Sequence, residues 1–483
     1  MKKDYLLSLI REQKPMTTWQ QLSLSAMLAI PAIMSQISTI VMEYIDASMV
    51  GSLGASATAA VGLVSTTIWL FGGICSAASS GFCVLVAHRI GANDFVGARR
   101  VLRQSLLALA LLSFLMLVVG VAISGPLPHW LGGGEDITDN ASLYFLVVAL
   151  TMPFLQLLNV SGGMLRASGD MRIPSILNVV MCALDVLFNF LLIFPTREIS
   201  VLSMSFIMPG ADLGVLGAGL GTALAYVSVS LLMSYFLIVR SRELRLSHEQ
   251  GSFRPQRECV KEAYDIALPI GVQRVLLTLA QIMLTVVVAP LGTIAIAANS
   301  FGIIAESLCY MPGHGVSDSA TTLVGQSVGA GRKALARRFG NINVTLGVSL
   351  MTFMGIIMYI TAPWVMAMLT PDLAVRELGA TCLRIEAFAE PMFAMSIVCY
   401  GVFVGAGYSK VPCILHLACI WLVRLPLSIY LAPVMGLEGV WLAMAIELCV
   451  RGLAHWYYLV GDKWLRKVKT RSQEVSMEEI VSE

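Results

Sequence analysis

Long apolar runs, each broken by a short polar stretch, organise this chain from about residue 22 to residue 460. Each is long enough to cross a hydrocarbon layer of roughly 30 Å as a helix. The pattern predicts twelve spans, near 22–50, 57–88, 98–124, 139–165, 172–194, 212–239, 263–289, 294–327, 334–361, 374–404, 411–431 and 438–459. The remainder is polar: an amphipathic lead over 1–21, a link over 241–262 and a charged tail over 461–483. Six spans fall in 22–240 and six in 263–460.

The two blocks repeat each other. Pro31 matches Pro269, Gly54 matches Gly292, Gly91 matches Gly329 and Arg99-Arg100 match Arg337-Arg338. Pro153 matches Pro391, Gly169 matches Gly407 and Pro174 matches Pro412, every pair 238 residues apart. The offset then falls to 225, where Leu213-Gly214-Val215 meets Glu438-Gly439-Val440. That places about 13 extra residues in the loop before the sixth span. Six is even, so both blocks start on the same side of the membrane. The fold class predicted is therefore all-α integral membrane, an N-lobe and a C-lobe of six helices each, in parallel around a central cleft.

Basic residues set the orientation. The lead, the link, the tail and the loops on their side hold 26 of the 32 Lys and Arg, and the opposite loops hold only Arg197 and Arg376. This bias predicts a multi-pass protein of the plasma or inner membrane with both termini cytoplasmic. The first segment, MKKDYLLSLIREQK, mixes charges and does not read as a signal peptide.

Composition agrees: 57% of residues are hydrophobic and 13% charged, about half the charge of an ordinary soluble domain. Ten cysteines without a CxxC pair read as buried small hydrophobes. No metal-ligand spacing appears, and His314, His416 and His455 stand isolated. Gly325-Gln-Ser-Val-Gly329 fits GxSxG, but it closes a helix and its twin, Ala87-His-Arg-Ile-Gly91, has no serine. A nucleophile elbow needs strand, turn and helix. A membrane enzyme is thus the weaker class, and no catalytic or metal residue is assigned.

The candidate chemistry lies inside the spans. MEYIDASMVGSLG (42–54) puts Asp46 in the first, 15 residues after Pro31. An acid there is costly and marks function by default. Burial disfavours its charged form, so a change in hydration could make it take or release a proton. Proline permits a bend in the same helix. Glu43 lies one turn away on that face. In the twin, Asp46 becomes Leu284. Asp185 lies in the fifth span with Asn178 and Asn189 on its face, a polar stripe that reads as a hydrated pocket or as interhelical bonding. Gly210, Gly214, Gly217 and Gly221 have the small-xxx-small spacing of close helix packing. In the second block, Glu306, Asp318, Glu386, Glu390 and Glu447 accompany Arg274, Arg384 and Arg424. Similar numbers of opposite charges predict structural ion pairs, with a second ion or substrate site at Arg274, Glu306, Glu386, Glu390 and Arg424 as the alternative.

Asp46-Ala-Ser-Met-Val-Gly-Ser-Leu-Gly54, Gly91-Ala-Asn-Asp94, Leu165-Arg-Ala-Ser-Gly-Asp170 and Gly214-Val-Leu-Gly-Ala218 are followed by Leu268-Pro-Ile-Gly271, Gly329-Ala-Gly331 and Gly436-Leu-Glu-Gly-Val-Trp441. In this order, over nearly the whole length, the chain resembles the multidrug and toxic compound extrusion (MATE) transporters, in particular the DinF-like branch. The resemblance implies export of a small organic cationic or amphiphilic substrate by antiport, with H+ or Na+ as the coupling ion and no other cofactor. It implies coupling through Asp46 and Asp185, bending at Pro31 and a hydroxyl at Thr222. Glu43 is a further coupling candidate, and the expected substrate contacts are Gln36, Asn159, Asn178, Asn189 and Thr222. It also implies a monomer in a lipid bilayer, with alternating access and no nucleic-acid partner. Two departures matter. Met181 stands where that branch often has Asn, and no acid lies between Ile266 and Ala305, where the sodium-coupled branch has a glutamate. The second departure favours protons. A flippase for a lipid-linked precursor is the other transport reading, and it would need a cationic cleft.

Overall fold

The structure, a computed structural model, describes residues 2–201, 204–246, 253–254, 256–461 and 463–466. Most of the predicted tail (467–483) and part of the link (247–252 and 255) lie outside the described residues. The order is α1 (Lys2–Arg11), α2 (Thr18–Gly51), α3 (Ala55–Gly91), α4 (Phe95–Ser124), α5 (Leu127–Trp130), α6 (Glu135–Leu150), α7 (Met152–Ala167) and α8 (Arg172–Ile193). A hairpin of β1 (Pro195–Val201) and β2 (Met204–Ala211) and helix α9 (Gly214–Tyr235) complete the first lobe. The second lobe holds α10 (Arg257–Val288), α11 (Thr293–Gly329), α12 (Lys333–Leu369), α13 (Leu373–Ala387), α14 (Glu390–Gly405), α15 (Lys410–Cys419), α16 (Leu425–Met435) and α17 (Leu437–Val460). The short α18 (Lys463–Arg466) follows.

Among the described residues, nine helical segments are individually long and apolar enough to cross a membrane. Two further spans are bent pairs, α6–α7 at 45° and α13–α14 at 59°. Both had been expected as single helices. Each breaks just before a proline, Pro153 or Pro391, second in its helix. Proline has no N–H to give the preceding turn. The twelfth span, α17, carries Glu438, Glu447 and Arg451 within 24 residues. The ten cysteines are unpaired, six buried and four half-buried.

The repeat is visible in the backbone. Gly54 and Gly292 share the left-handed region (φ 109° and 97°), as do Gly169 and Gly407 (89° and 77°) and Asn93 and Gly331 (59° and 73°). L side chains resist that region, so the chain places glycine or Asn there. After Pro412 the alignment shifts. A π-helical turn, Ile420–Arg424, interrupts the eleventh span and inserts one residue. Gly217 then packs on the carbonyl of Leu192, and Gly439 on that of Leu431. Gly214 and Gly436, both at positive φ, open the sixth and twelfth spans. Twenty-two residues separate Leu192 from Gly214 and five separate Leu431 from Gly436. The first lobe is therefore longer by 17 residues, not about 13, and most of the excess forms the hairpin.

The lobes meet through exchanged helices: α2 packs on α11, and α3 packs on α10. Helix α2 serves both lobes. Before Pro31, Ser25 accepts from Ser319 of α11 and Asn343 of α12. After it, Ser35 accepts from Asn178 of α8. At the face that carries the termini the closure is symmetric. His88 Nε2 donates to the carbonyl of Gly405 (2.8 Å), and Gln326 Nε2 donates to that of Ala167 (2.8 Å). Gly91 and Gly329 each leave no room for a Cβ against the other helix's backbone. Helix α1 lies over this closure, with Leu6, Leu7, Leu9 and Ile10 in the core that includes Val328, Phe339 and Trp464. Arg11 pairs with Glu243 (3.0 Å), and Arg332 donates to the carbonyl of Leu9 (2.9 Å).

Candidate functional site

The acids of the first and fifth spans come together. Asn189 Nδ2 donates to Asp46 Oδ1 (2.8 Å) and to Asp185 Oδ2 (3.1 Å). The two carboxyls also face each other, and Thr222 stands beside Asp185. Asp185 is 0% and Asn189 1% exposed, while Asp46 is half-buried. Asp185 Oδ1 and Asn189 Oδ1 are buried without a hydrogen-bond partner. Two carboxyls with one oxygen left over form a receptor for one proton, since a single O–H between them satisfies both. Glu43 is exposed, with its charge toward Asp46 and Tyr310.

Three neighbours escaped the sequence reading. Tyr144 of α6 and Tyr226 of α9 lie within the field of both acids. Gly221 has no room for a Cβ because Asn189 fills the place. The Gly217–Gly221 spacing was read as packing; at Gly221 it also seats the amide that bridges the two acids. Tyr226 stands one turn after Thr222 on the same span, which could have signalled it; Tyr144 carries no such mark, since spacing does not reveal which spans adjoin.

The residues expected to contact substrate do not gather at one place. Asn189 and Thr222 serve the acids. Asn178 bonds Ser35. Gln36 reaches Asp318 on α11. Asn159 alone of the five lines the large central cavity, of about 480 Å³. The reason is that α8 turns its stripe toward α2 and α9, away from the gap between lobes. The cavity lies between the lobes and extends into the second. Its polar wall includes Arg166, Arg274, Glu306, His314, Asp318, Arg424 and Arg451, with Tyr310, Phe393 and Tyr400 as aromatic surface.

Ion pairing in the second lobe is also less than expected. Among the described residues there, Glu447 and Arg451 form an ion pair (3.1 Å). Glu306 faces Glu386 across α11 and α13. Glu386 and Glu390 are 0% exposed, with no donor on any of their four oxygens. They point inward from the α13–α14 break, Glu386 within the field of Arg424 but, among the described residues, without an ion pair to it. Arg384 lies over the Tyr359 ring and donates to its carbonyl. His416 is not isolated: it bonds Gln273 (2.8 Å) and Arg451.

Comparison with known proteins gives one consistent result. The family model described as "MatE" matches residues 31–191 and 269–430. A probable multidrug resistance protein NorM from Pseudomonas aeruginosa is 30% identical over 435 residues, 86% of this chain and 85% of its own. Its namesake from Thermotoga maritima is 25% identical over 451 residues, 92% and 94% of the two chains. The fold matches a crystal structure of a MATE transporter from Vibrio cholerae, with TM-score 0.83, 19% identity and 92% and 97% coverage. It also matches a MOP superfamily transporter from Pyrococcus furiosus, with TM-score 0.83, 20% identity and 94% and 96% coverage.

Proposed function

Because this chain belongs to the MATE family of transporters, we propose that it exports small amphiphilic molecules by antiport and that Asp46 and Asp185 hold the coupling proton. It is a multi-pass membrane protein and not an enzyme. The observation that carries the coupling role is the acid pair, Asp185 buried and Asp46 half-buried, bridged by one amide and with Asp185 Oδ1 left without a donor. Placement in the plasma or inner membrane with cytoplasmic termini follows from the basic residues on the face that α1 covers.

In the cycle, cargo occupies the central cavity while the lobes part on the cytoplasmic side. With that side shut, a proton from outside enters between Asp46 and Asp185. Helix α2 then shifts about Pro31, where its contacts change from one lobe to the other. Because the acids do not line the cavity, the proton acts on the cargo through α2 and not by direct competition. The membrane potential contributes about 2.3 kcal/mol per charge per 100 mV. Sodium is the second reading, because the unpaired Asp185 Oδ1 and Asn189 Oδ1 are also cation ligands.

The test is transport by purified protein in liposomes under an imposed pH or sodium gradient. A pH gradient should accelerate dye transport, and Asp46→Asn should abolish that acceleration with the protein still folded. Acceleration by sodium alone selects the second reading. Equal transport under every gradient, or a wild-type rate in Asp46→Asn, ends both.

A further inference from the structure

The arginines of the cavity differ in what opposes them. Arg451 is ion-paired with Glu447. Arg424 faces Glu306 and Glu386. Arg166 faces Asp318. Arg274 is different. The groups in its field are His314, Tyr400, Cys413 and His416. Among the described residues its guanidinium has no hydrogen bond and no ion pair. Yet it stands in the middle of α10, exposed to the cavity.

A charge at that depth without a partner is costly and is retained where it serves a ligand. The surroundings position it. Its stem lies along Gly73 of the other lobe, where a Cβ would stand 3.5 Å from the Arg274 side chain. On the second-lobe side, Tyr400 donates to Gln273 Oε1 (2.7 Å) and Gln273 is tied to His416. The wall beside the guanidinium is thus fixed, and the five N–H groups of Arg274 are free. A guanidinium offers only donors and matches the paired oxygens of a carboxylate, sulfonate or phosphate. Tyr310, Phe393, Ile397 and Leu277 supply apolar surface in a cavity of drug-like size.

We infer that the central cavity takes an amphiphilic solute with an anionic head, anchored on Arg274. Its apolar body lies against the aromatic wall. This deepens the export reading by naming the cargo, and it reverses the cationic class that the resemblance implied.

The test compares two probes of one design, 11-(dansylamino)undecanoate and the analogue with a trimethylammonium head. Both are titrated against purified protein in phosphatidylcholine nanodiscs. The carboxylate probe should bind roughly tenfold or more tightly than the cation, the range expected for a charge-assisted hydrogen bond. Arg274→Gln should cancel that preference, Arg274→Lys should keep part of it, and Arg384→Gln, outside the cavity, should leave it unchanged. Tighter binding of the cation, no binding of either probe, or full carboxylate affinity in Arg274→Gln overturns the inference. Adding phosphatidylglycerol to the discs separates a solute from a lipid headgroup. Unchanged probe binding supports a solute, and displacement overturns that assignment. Gradient-driven export of a cationic dye, measured in parallel in liposomes, would leave the transport reading standing even if Arg274 played no part.

Discussion

In the first lobe the acids sit on α2 and α8. At the matching places the second lobe has Leu284 on α10, Arg424 at the end of the π turn and Ser428 on α16. In the second lobe the acids sit on α11, α13 and α14, as Glu306, Glu386 and Glu390. The first lobe has Ile68, Val148 and Met152 there. Lower down the helices the lobes agree. Ser35–Asn178 in one corresponds to Gln273–His416 in the other, each 238 residues on and each hydrogen-bonded. The duplicated backbone thus preserves its helix contacts and lets the buried charge move to different helices. One lobe encloses a small acid pair. The other opens a mixed, larger surface onto the cavity. A fold can be repeated without repeating its chemistry.

The sharpest break in this comparison is Asp185→Asn against Glu386→Gln. The first should lower gradient-coupled efflux about a hundredfold, roughly 2.7 kcal/mol in a rate. The second, isosteric and away from the cavity, should change it less than about threefold. Efflux assays at matched membrane expression decide this, and equal losses would abolish the division between lobes. Arg451→Ala comes next and acts on stability. It leaves Glu447 buried without its cation, at a cost of about 3–5 kcal/mol. Thermal unfolding in detergent should show a clear drop in midpoint. Gly221→Ala is smaller. The methyl must displace Asn189, and coupled efflux should fall about tenfold, or roughly 1.4 kcal/mol. Combining it with Asn189→Ala should add little, because both changes remove the same bridge. The smallest effect sharpens the role of α2: Pro31→Ala should slow transport a few-fold, and Pro269→Ala less than about twofold. Matching losses would mean that neither proline is special.

How much of this was legible in the sequence differs by level. The twelve spans and the 238-residue repeat follow from apolar runs and paired Pro and Gly, because lipid demands continuous helices. Asp46 and Asp185 stand out for the same reason: charge inside such runs is rare. Their meeting through Asn189 was not legible, since no spacing relates the first span to the fifth. The π turn left no mark in the apolar pattern and shifts the later offset by one residue; the other three come from matching Gly214 to Gly439, where the backbone matches it to Gly436. A central cleft was expected, but most of its lining was not legible, because the wall draws single residues from both lobes. Gln36 and Asn178 show the converse. They were polar, half-buried and on the right helices, yet they hold helices together and do not line the cavity.

The reciprocal contact at the terminal face bears on how the two halves can part. Gly91 lies against the backbone of Gln326 and Gly329 against that of His88, and the His88 and Gln326 bonds run in opposite senses across the same junction. Sliding one helix along the other would drive a carbonyl into a Cα and break both bonds at once, so intermediate degrees of separation have nothing to hold them. The junction therefore admits two states, latched or apart, and a molecule crossing there meets an all-or-none barrier.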